Sequence, residues 1–259
     1  MAVYLVVAAH PDDPDFGVAG TAARLARDGE EVHYLMLTSG DAGSEDPTIP
    51  PAELMRVREA EQQAAGRILG LTSVQFLRFP DGELQPTIEL RKAIVRVMRQ
   101  LRADVVLCQD PRALFDEDGT YLNHPDHRAA GQVALDAAFP AAGNPSAFRD
   151  LLADGLKAHK VKEVWLFFTG AQQVNHFVDI TETIDQKIDA LAAHASQIGE
   201  WAATGALRTE MLKWAEGTAA KSETGYKYAV AFQRIVLESE QERPTEAAAV
   251  EAQSEEDGN

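Results

Sequence analysis

The stretch AVYLVVAAHPDDPDFG, residues 2–17, decides the fold of this chain. It opens with eight apolar residues in succession, which is typical of a parallel β-strand covered on both faces. The run ends at His10, and two aspartates, Asp12 and Asp13, follow it closely. Because open α/β sheets bind ligands beyond the carboxyl ends of their strands, the segment predicts a first strand that delivers a histidine and two carboxylates to the edge of a sheet.

Strand and helix patterns alternate along the first two-thirds of the chain. Amphipathic helical stretches separate apolar strand stretches, and the further predicted strands cover 31–38, 73–79, 104–110, 162–168, 175–180 and 225–237. This alternation is typical of the α/β class. It predicts one domain with a Rossmann-like open sheet, mostly parallel, with helices on both faces.

The predicted domain covers residues 1–238. Within it, residues 140–160 are rich in Pro, Gly and Ala and are expected to form a surface excursion. Residues 239–259 contain no aromatic side chain and no core pattern, and seven acids with one arginine lie in 240–259. We therefore expect a disordered acidic tail at this end.

The composition excludes several classes of function. The 259 residues carry a net charge of −17 without a cluster of Lys and Arg, which argues against nucleic acid and anionic membranes as partners. No apolar run is long enough to cross a bilayer, and the first strand lacks the preceding basic residues of a signal peptide, so a cytoplasmic location is expected. The single cysteine, Cys108, lies in a strand pattern and is expected to be a small buried hydrophobe.

Two short segments are rich in possible metal ligands. The first contains His10, Asp12 and Asp13, and the second contains His124, Asp126 and His127. Each lies where a predicted strand or its loop gives way to a helix, so both are expected at the same edge of a parallel sheet. Imidazole and carboxylate together suit Zn²⁺ or another divalent ion.

A catalytic zinc site needs three protein ligands and an open position. His10, Asp13 and one histidine of the second segment meet that count, and the spacing favours His127. Asp12 is then placed to act as general base, and His124 to donate a proton or to stabilise a developing oxyanion. The pattern predicts metal-assisted amide hydrolysis without a covalent intermediate.

The segments AAHPDDPDFG and HPDHRAAG together resemble the LmbE-like (PIG-L) N-deacetylase family. The stretches LTSGDAG, REAEQQAAGRILG, FLRFPDGEL, HFVDIT and KIDALAAHASQ agree in order, so that the resemblance covers about residues 3–200. It implies a zinc-dependent hydrolase that removes an acetyl or other acyl group from an N-acetylglucosamine-like conjugate. Some relatives assemble as trimers or hexamers, so a homo-oligomer is one possible assembly and the oligomeric state stays open.

The resemblance implies the same metal ligands, His10, Asp13 and His127, with Asp12 as base and His124 as acid or electrostatic stabiliser. Two further residues match places where relatives hold sugar hydroxyls, namely Arg58, with which Arg56 competes, and Asp81. Supporting contacts around the ligands are expected from Asp15, Asp41 and Asp126, the first two being aspartates where the family usually has glutamate. Tyr121 is a candidate for the oxyanion, and His194 for the crevice or a subunit contact.

Several alternatives stay open. Asp12 could be an ordinary helix cap, and His124 could only orient Asp126. The same chemistry could act on a thiol-sugar conjugate or an antibiotic precursor. A non-catalytic ligand-binding α/β module would use the cluster structurally. Four titratable groups in two such segments favour a metal centre, because no packing requirement brings them together.

Overall fold

The computed structural model describes residues 1–115 and 119–237. Within these ranges one sheet has the strand order β3-β2-β1-β4-β5-β7-β6, in which the first five strands are parallel and β7 runs antiparallel to β5 and β6. The strands are β1 (Val3–Ala8), β2 (Glu31–Thr38), β3 (Ser73–Phe79), β4 (Val105–Gln109), β5 (Glu163–Phe167), β6 (His176–Asp179) and β7 (Ala229–Val236). The predicted fold class is confirmed. The predicted tail, 239–259, lies outside the described residues.

Helices cover both faces of the sheet. One apolar core lies between the sheet and helices α4 and α5, and a second lies between the sheet and α2, α3, α7 and α9. Strand β1 contributes to both cores, since Leu5 and Val7 belong to the first and Val6 and Ala8 to the second. The helices in the described ranges are α1 (Asp13–Gly17), α2 (Ala19–Arg27), α3 (Pro51–Leu69), α4 (Ile88–Leu101), α5 (Pro125–Asp136), α6 (Arg149–Ala153), α7 (Ile184–Ala192), α8 (Ala195–Ala203) and α9 (Ala206–Ala220).

The strand order reverses beside β1, which pairs with β2 on one side and with β4 on the other. A crevice opens at such a switch point, and both predicted ligand segments follow strands that border it. Helix α5, which carries the second segment, lies very close to β4. A Cβ atom at Gly131 would stand 2.1 Å from the carbonyl oxygen of Gln109, so only glycine allows this approach.

One prediction about local structure is wrong. The expected surface excursion at 140–160 is partly core, because Ala141, Ala142 and Leu151 are buried. The buried guanidinium of Arg99 donates hydrogen bonds to the carbonyls of this segment, which satisfies its irregular backbone. Helix α1 is followed directly by α2, with a break in helical geometry at Val18.

Cys108 is fully buried in β4, as predicted, and burial raises the pKa of its thiol. No helix in the described part of the chain combines the length and the apolar character that a membrane span requires.

Candidate metal centre

His10 stands directly beyond the carboxyl end of β1, with its ring between three carboxylates. Its Nδ1 lies 3.2 Å from Oδ2 of Asp13. Its Nε2, on the opposite side of the ring, lies 2.9 Å from Oδ1 of Asp81 and 3.3 Å from Oδ2 of Asp126. A histidine that ligates a metal presents one nitrogen to the ion and donates its other N–H to a carboxylate. His10 is therefore oriented by Asp81 and Asp126 with Nδ1 directed at Asp13.

The second segment meets the first through His127, in the first turn of α5. Its Nε2 lies 3.0 Å from Oδ1 of Asp13, and its Nδ1 lies 2.9 Å from Oδ1 of Asn123. The ring centroids of His10 and His127 are 5.3 Å apart. The carboxylate of Asp13 thus lies between two imidazoles, each of which has a separate hydrogen-bond partner behind it.

These residues fit a divalent ion. Two imidazole nitrogens lie within 3.2 Å of the oxygens of one carboxylate, and two imidazoles with a carboxylate are a common catalytic zinc donor set. Burial alone would lower the pKa of His10, but Asp13, Asp126 and Asp81 raise it to about 12. Burial would raise the pKa of Asp13, but the two imidazoles hold it well below its usual range. The cluster is therefore a place where a cation is strongly favoured.

Two groups of three residues in the described ranges have ligand atoms that all lie within 4.8 Å of one another. They are His10, His124 and His127, and His10, Asp81 and Asp126. In the second group the carboxylates accept backbone N–H bonds, Asp81 from Ala42 at 3.0 Å and Asp126 from Gly82 at 2.8 Å and Leu84 at 3.2 Å. These bonds suit residues that orient His10. Asp13 is the carboxylate that contacts both His10 and His127.

His124 caps helix α5. Its Nδ1 accepts the backbone N–H of Asp126 at 3.2 Å, which places the proton of the neutral ring on Nε2. Burial and the nearby His10 lower the pKa of His124. The ring contacts His10 edge-on, with the centroids 4.9 Å apart. His124 therefore offers a neutral N–H donor beside the cluster.

Asp12 occupies an unusual backbone conformation. Its φ is +85°, in the left-handed region that non-glycine residues rarely adopt. It stands at the N-cap position of α1, yet its carboxylate makes no capping hydrogen bond, so the capping alternative does not hold. Burial and then Asp13 raise its pKa to about 6, against the opposing effect of Arg58. Strained residues with shifted pKa values cluster at functional sites.

A buried polar network holds Asp12 in place. The backbone N–H of Asp12 donates to Oε1 of Gln62 at 2.9 Å, and Nε2 of Gln62 donates to Oδ2 of Asp15 at 2.7 Å. The same oxygen lies 2.8 Å from Nε2 of His194. Burial would lower the pKa of His194, but the hydrogen bond with Asp15 raises it. We call His194, Asp15 and Gln62 the support network.

The support network contains one residue that the sequence analysis missed. Gln62 is buried, as are Leu54 and Arg58, which precede it by eight and four positions on α3. That spacing places all three on the buried face of the helix. A polar glutamine at a buried position of this face is the signal in the sequence by which Gln62 could have been found. His194 is 0% exposed, so it lines neither the crevice nor a surface, contrary to the expectation.

The two predicted sugar-binding residues both lie beside the cluster, and their role in binding stays a prediction. Arg58, only 4% exposed, donates to the carbonyl of Pro11 at 2.7 Å and to that of Gly40 at 3.2 Å. Its competitor Arg56 is exposed on the outer side of α3. Asp81 faces His10. Asp41 is half-buried in the loop after β2.

A cavity of about 900 Å³ opens from the cluster. Asp12, Asp13 and His127 line one part of it, and Tyr121 lies in its wall. This volume is within the range of sites that enclose small organic ligands. A Rossmann-like sheet with such a cavity, a His–Asp cluster and a carboxylate of raised pKa is typical of metal-assisted hydrolases.

Comparison with known proteins narrows this class. The family described as PIG-L: GlcNAc-PI de-N-acetylase matches residues 5–138. A diacetylchitobiose deacetylase of Thermococcus kodakarensis is 37% identical over 196 residues, which cover 76% of this chain and 70% of that protein. A 1D-myo-inositol 2-acetamido-2-deoxy-alpha-D-glucopyranoside deacetylase of Rhodococcus jostii is 30% identical over 246 residues, which cover 75% of this chain and 81% of that protein.

Solved structures agree with the sequence comparisons. The N,N'-diacetylchitobiose deacetylase from Pyrococcus horikoshii, in complex with its inhibitor MPG, superposes with a TM-score of 0.78 at 27% identity, covering 90% of this chain and 84% of that one. The chain belongs to the PIG-L family of de-N-acetylases, which confirms the predicted family, and it is an N-deacetylase.

Proposed function

We propose that this protein removes the acetyl group from an N-acetylglucosamine unit of a small conjugate, with Zn²⁺ held by His10, Asp13 and His127. The observation that carries the proposal is the carboxylate of Asp13, which lies within 3.2 Å of both imidazoles while Asp12 lines the same cavity. The deacetylases similar to this chain act on N-acetylated sugars, as their names state. Iron or manganese could be held by the same ligands.

An ion held by His10, Asp13 and His127 would supply Lewis acidity at the amide carbonyl and would make a bound water more acidic. Asp12 takes the proton of the attacking water, and its pKa of about 6 leaves it ionised yet basic enough at neutral pH. His124 donates a hydrogen bond from Nε2 to the oxygen that becomes negative, or a proton to the leaving nitrogen. Asp126 and Asp81 keep His10 in its orientation throughout.

Acetate release and metal content test the proposal together. We expect about one zinc per chain and acetate release from N-acetylated amino sugars. Replacement of the base in Asp12→Asn lowers kcat by about 10²- to 10⁴-fold while zinc stays bound. The matched control is Asp28→Asn on the exposed end of α2, which leaves kcat unchanged.

The result against the proposal is a folded, metal-free protein that hydrolyses N-acetyl sugars at full rate with a chelator present. If Asp12→Asn kept the wild-type kcat, Asp12 would not be the general base. A panel that adds thiol-sugar conjugates separates the alternative substrates. A cytoplasmic location and a trimeric or hexameric assembly remain predictions from the sequence.

A further inference from the structure

A second cavity, of about 320 Å³, lies on the side of the sheet that α7 and α9 cover. Helices α7 and α9 and strands β6 and β7 all contribute to its lining. It shares four lining residues with the cavity beside the metal centre, namely Phe16, Phe168, Thr169 and Trp214. The residues proposed as metal ligands, base and acid line the first cavity or stand beside it, and none of them lines the second. We call this second cavity the lysine pocket, because its lining includes Lys187 and Lys221.

Lys187 is a buried cation without a counter-charge in contact with it. The residue is 3% exposed, and its Nζ donates to the carbonyl of Phe16 and lies 5.1 Å from the centroid of the Trp214 indole ring. Among the described residues, no carboxylate oxygen lies within ion-pair distance of this ammonium. A buried charge is costly unless it is paired. An anion in the lysine pocket would therefore compensate a charge that the described side chains leave unpaired.

The carboxylate whose charge acts on Lys187 is engaged elsewhere. Oδ2 of Asp15 accepts from Nε2 of Gln62 at 2.7 Å and lies 2.8 Å from Nε2 of His194. Burial lowers the pKa of Lys187 to about 8, and the charge of Asp15 opposes this effect only in part. The amine is therefore still mainly protonated at neutral pH, so that it can hold an anion.

The lining of the lysine pocket suits an anion with an apolar body. Lys187 and Lys221 are the charged residues of its described lining, although the whole chain carries a net charge of −17. The hydroxyls of Thr169 and Thr218 can donate hydrogen bonds, and the other lining residues are apolar or aromatic. One buried ammonium balances one negative charge, whereas the second charge of a phosphate would be buried against apolar walls. The lining therefore favours a monocarboxylate.

We propose that the lysine pocket binds a small organic monocarboxylate, with the carboxylate on Nζ of Lys187 and an apolar body between α9 and strands β6 and β7. The volume of about 320 Å³ is at the lower end of the range for sites that enclose small organic ligands. This ligand is separate from the N-acetylated sugar, which the proposed function places in the other cavity. The inference goes beyond the proposed function and does not depend on it.

Calorimetric titration of the metal-loaded protein tests the pocket with three probes. Hexanoate has both a carboxylate and an apolar body, 1-hexanol lacks the charge, and acetate lacks the body. We expect hexanoate to bind at least about tenfold more tightly than either of the other two, because it alone gains from both the ammonium and the apolar walls. Acetate also represents the product of deacetylation, so its arm separates a product site from a site for a larger carboxylate.

Two variants assign the binding to the lysine pocket. In Lys187→Met, which keeps the length of the side chain but removes its charge, the affinity for hexanoate should fall about 10- to 100-fold, as expected for the loss of one hydrogen bond between charged groups. Thr218→Trp on α9 keeps Lys187 and fills the pocket, so it should also abolish binding. The matched control is Lys213→Met, an exposed lysine of α9 that does not line the pocket, and its affinity should equal that of wild type.

The variants also separate this site from the metal centre. A carboxylate that ligated the metal would bind equally well to wild type and to Lys187→Met, and equal affinities would overturn the proposal. It would also be overturned if 1-hexanol or acetate bound as tightly as hexanoate, or if a folded Thr218→Trp bound hexanoate as wild type does. None of these results depends on acetate release, so the proposed function is tested separately.

Discussion

Replacement of Gln62 tests how the base is held. In Gln62→Leu the side-chain volume is nearly conserved. The buried carboxylate of Asp15 loses the hydrogen bond from Nε2 of Gln62, which is worth about 1.5–3 kcal/mol, and the backbone N–H of Asp12 loses its acceptor. We expect a loss of about 3 kcal/mol in the free energy of unfolding, which lowers Tm by about 6–12 °C in a chain of this size.

The rate should fall more than stability alone implies. Asp12 is held at a φ of +85°, a conformation that costs about 1–3 kcal/mol, and without Gln62 its backbone can relax. A displacement of about 1 Å in a reacting group can cost about 10²-fold in rate. We therefore expect kcat for acetate release to drop about 10²-fold in the folded variant, with the metal content unchanged because no ligand is altered.

The control is Gln63→Leu, one position further along α3. The side chain of Gln63 donates to the carbonyl of Val74 at 3.0 Å, away from the cluster. The Gln63→Leu variant is expected to lose about 1 kcal/mol in the free energy of unfolding, with kcat unchanged. The assay measures kcat, metal content and thermal unfolding for both variants. A Gln62→Leu enzyme that is metal-loaded and turns over at the wild-type rate would show that the support network does not position Asp12.

Three further outcomes are expected. Without metal the pKa of His10 is about 12, so binding of Zn²⁺ at pH 7 should release a proton from this ring. Calorimetry detects that proton as a heat of binding that depends on the buffer, and the affinity for Zn²⁺ should weaken as the pH falls. Gly131→Ala should lower the free energy of unfolding by about 3 kcal/mol or more, because its Cβ would stand 2.1 Å from a carbonyl oxygen of β4. Gly217→Ala, on α9 with open space around it, should raise the free energy of unfolding by about 0.5–1 kcal/mol. Denaturant unfolding measures both changes. The pKa of His194 is raised in the folded state, so its contribution to stability is complete below its unfolded pKa of about 6.5 and is lost as the pH rises through the folded pKa. The difference in the free energy of unfolding between wild type and His194→Gln should therefore become smaller at alkaline pH. A difference that does not change with pH would contradict a charged His194–Asp15 pair.

The fold was predictable because its strands carry a strong local signal. Strands β1 and β4 are buried on both faces and therefore appear as unbroken apolar runs. Their order along the chain, with helices between them, then leaves few possible topologies. That both histidine segments lie at one sheet edge follows from the same argument, which needs no knowledge of individual side-chain contacts.

The support network was not predictable in the same way. Asp15, Gln62 and His194 are separated by 47 and 132 positions, and no local periodicity encodes contacts of that range. The sequence analysis also did not identify helix α8, in which Ile198, Trp201 and Ala202 pack on the second core but none of the nine residues is fully buried. Sequence patterns indicate burial against the sheet, whereas the support network depends on contacts between helices that are far apart in the sequence.

The two ends of the cavity come from different parts of the chain. Asp13 and His127 belong to residues 5–138, while Phe168 and Trp214 come from the part that follows. The groups proposed for hydrolysis therefore lie in a different part of the sequence from this portion of the cavity wall. Substitutions confined to the later part can reshape this portion of the cavity wall while the groups proposed for hydrolysis stay as they are.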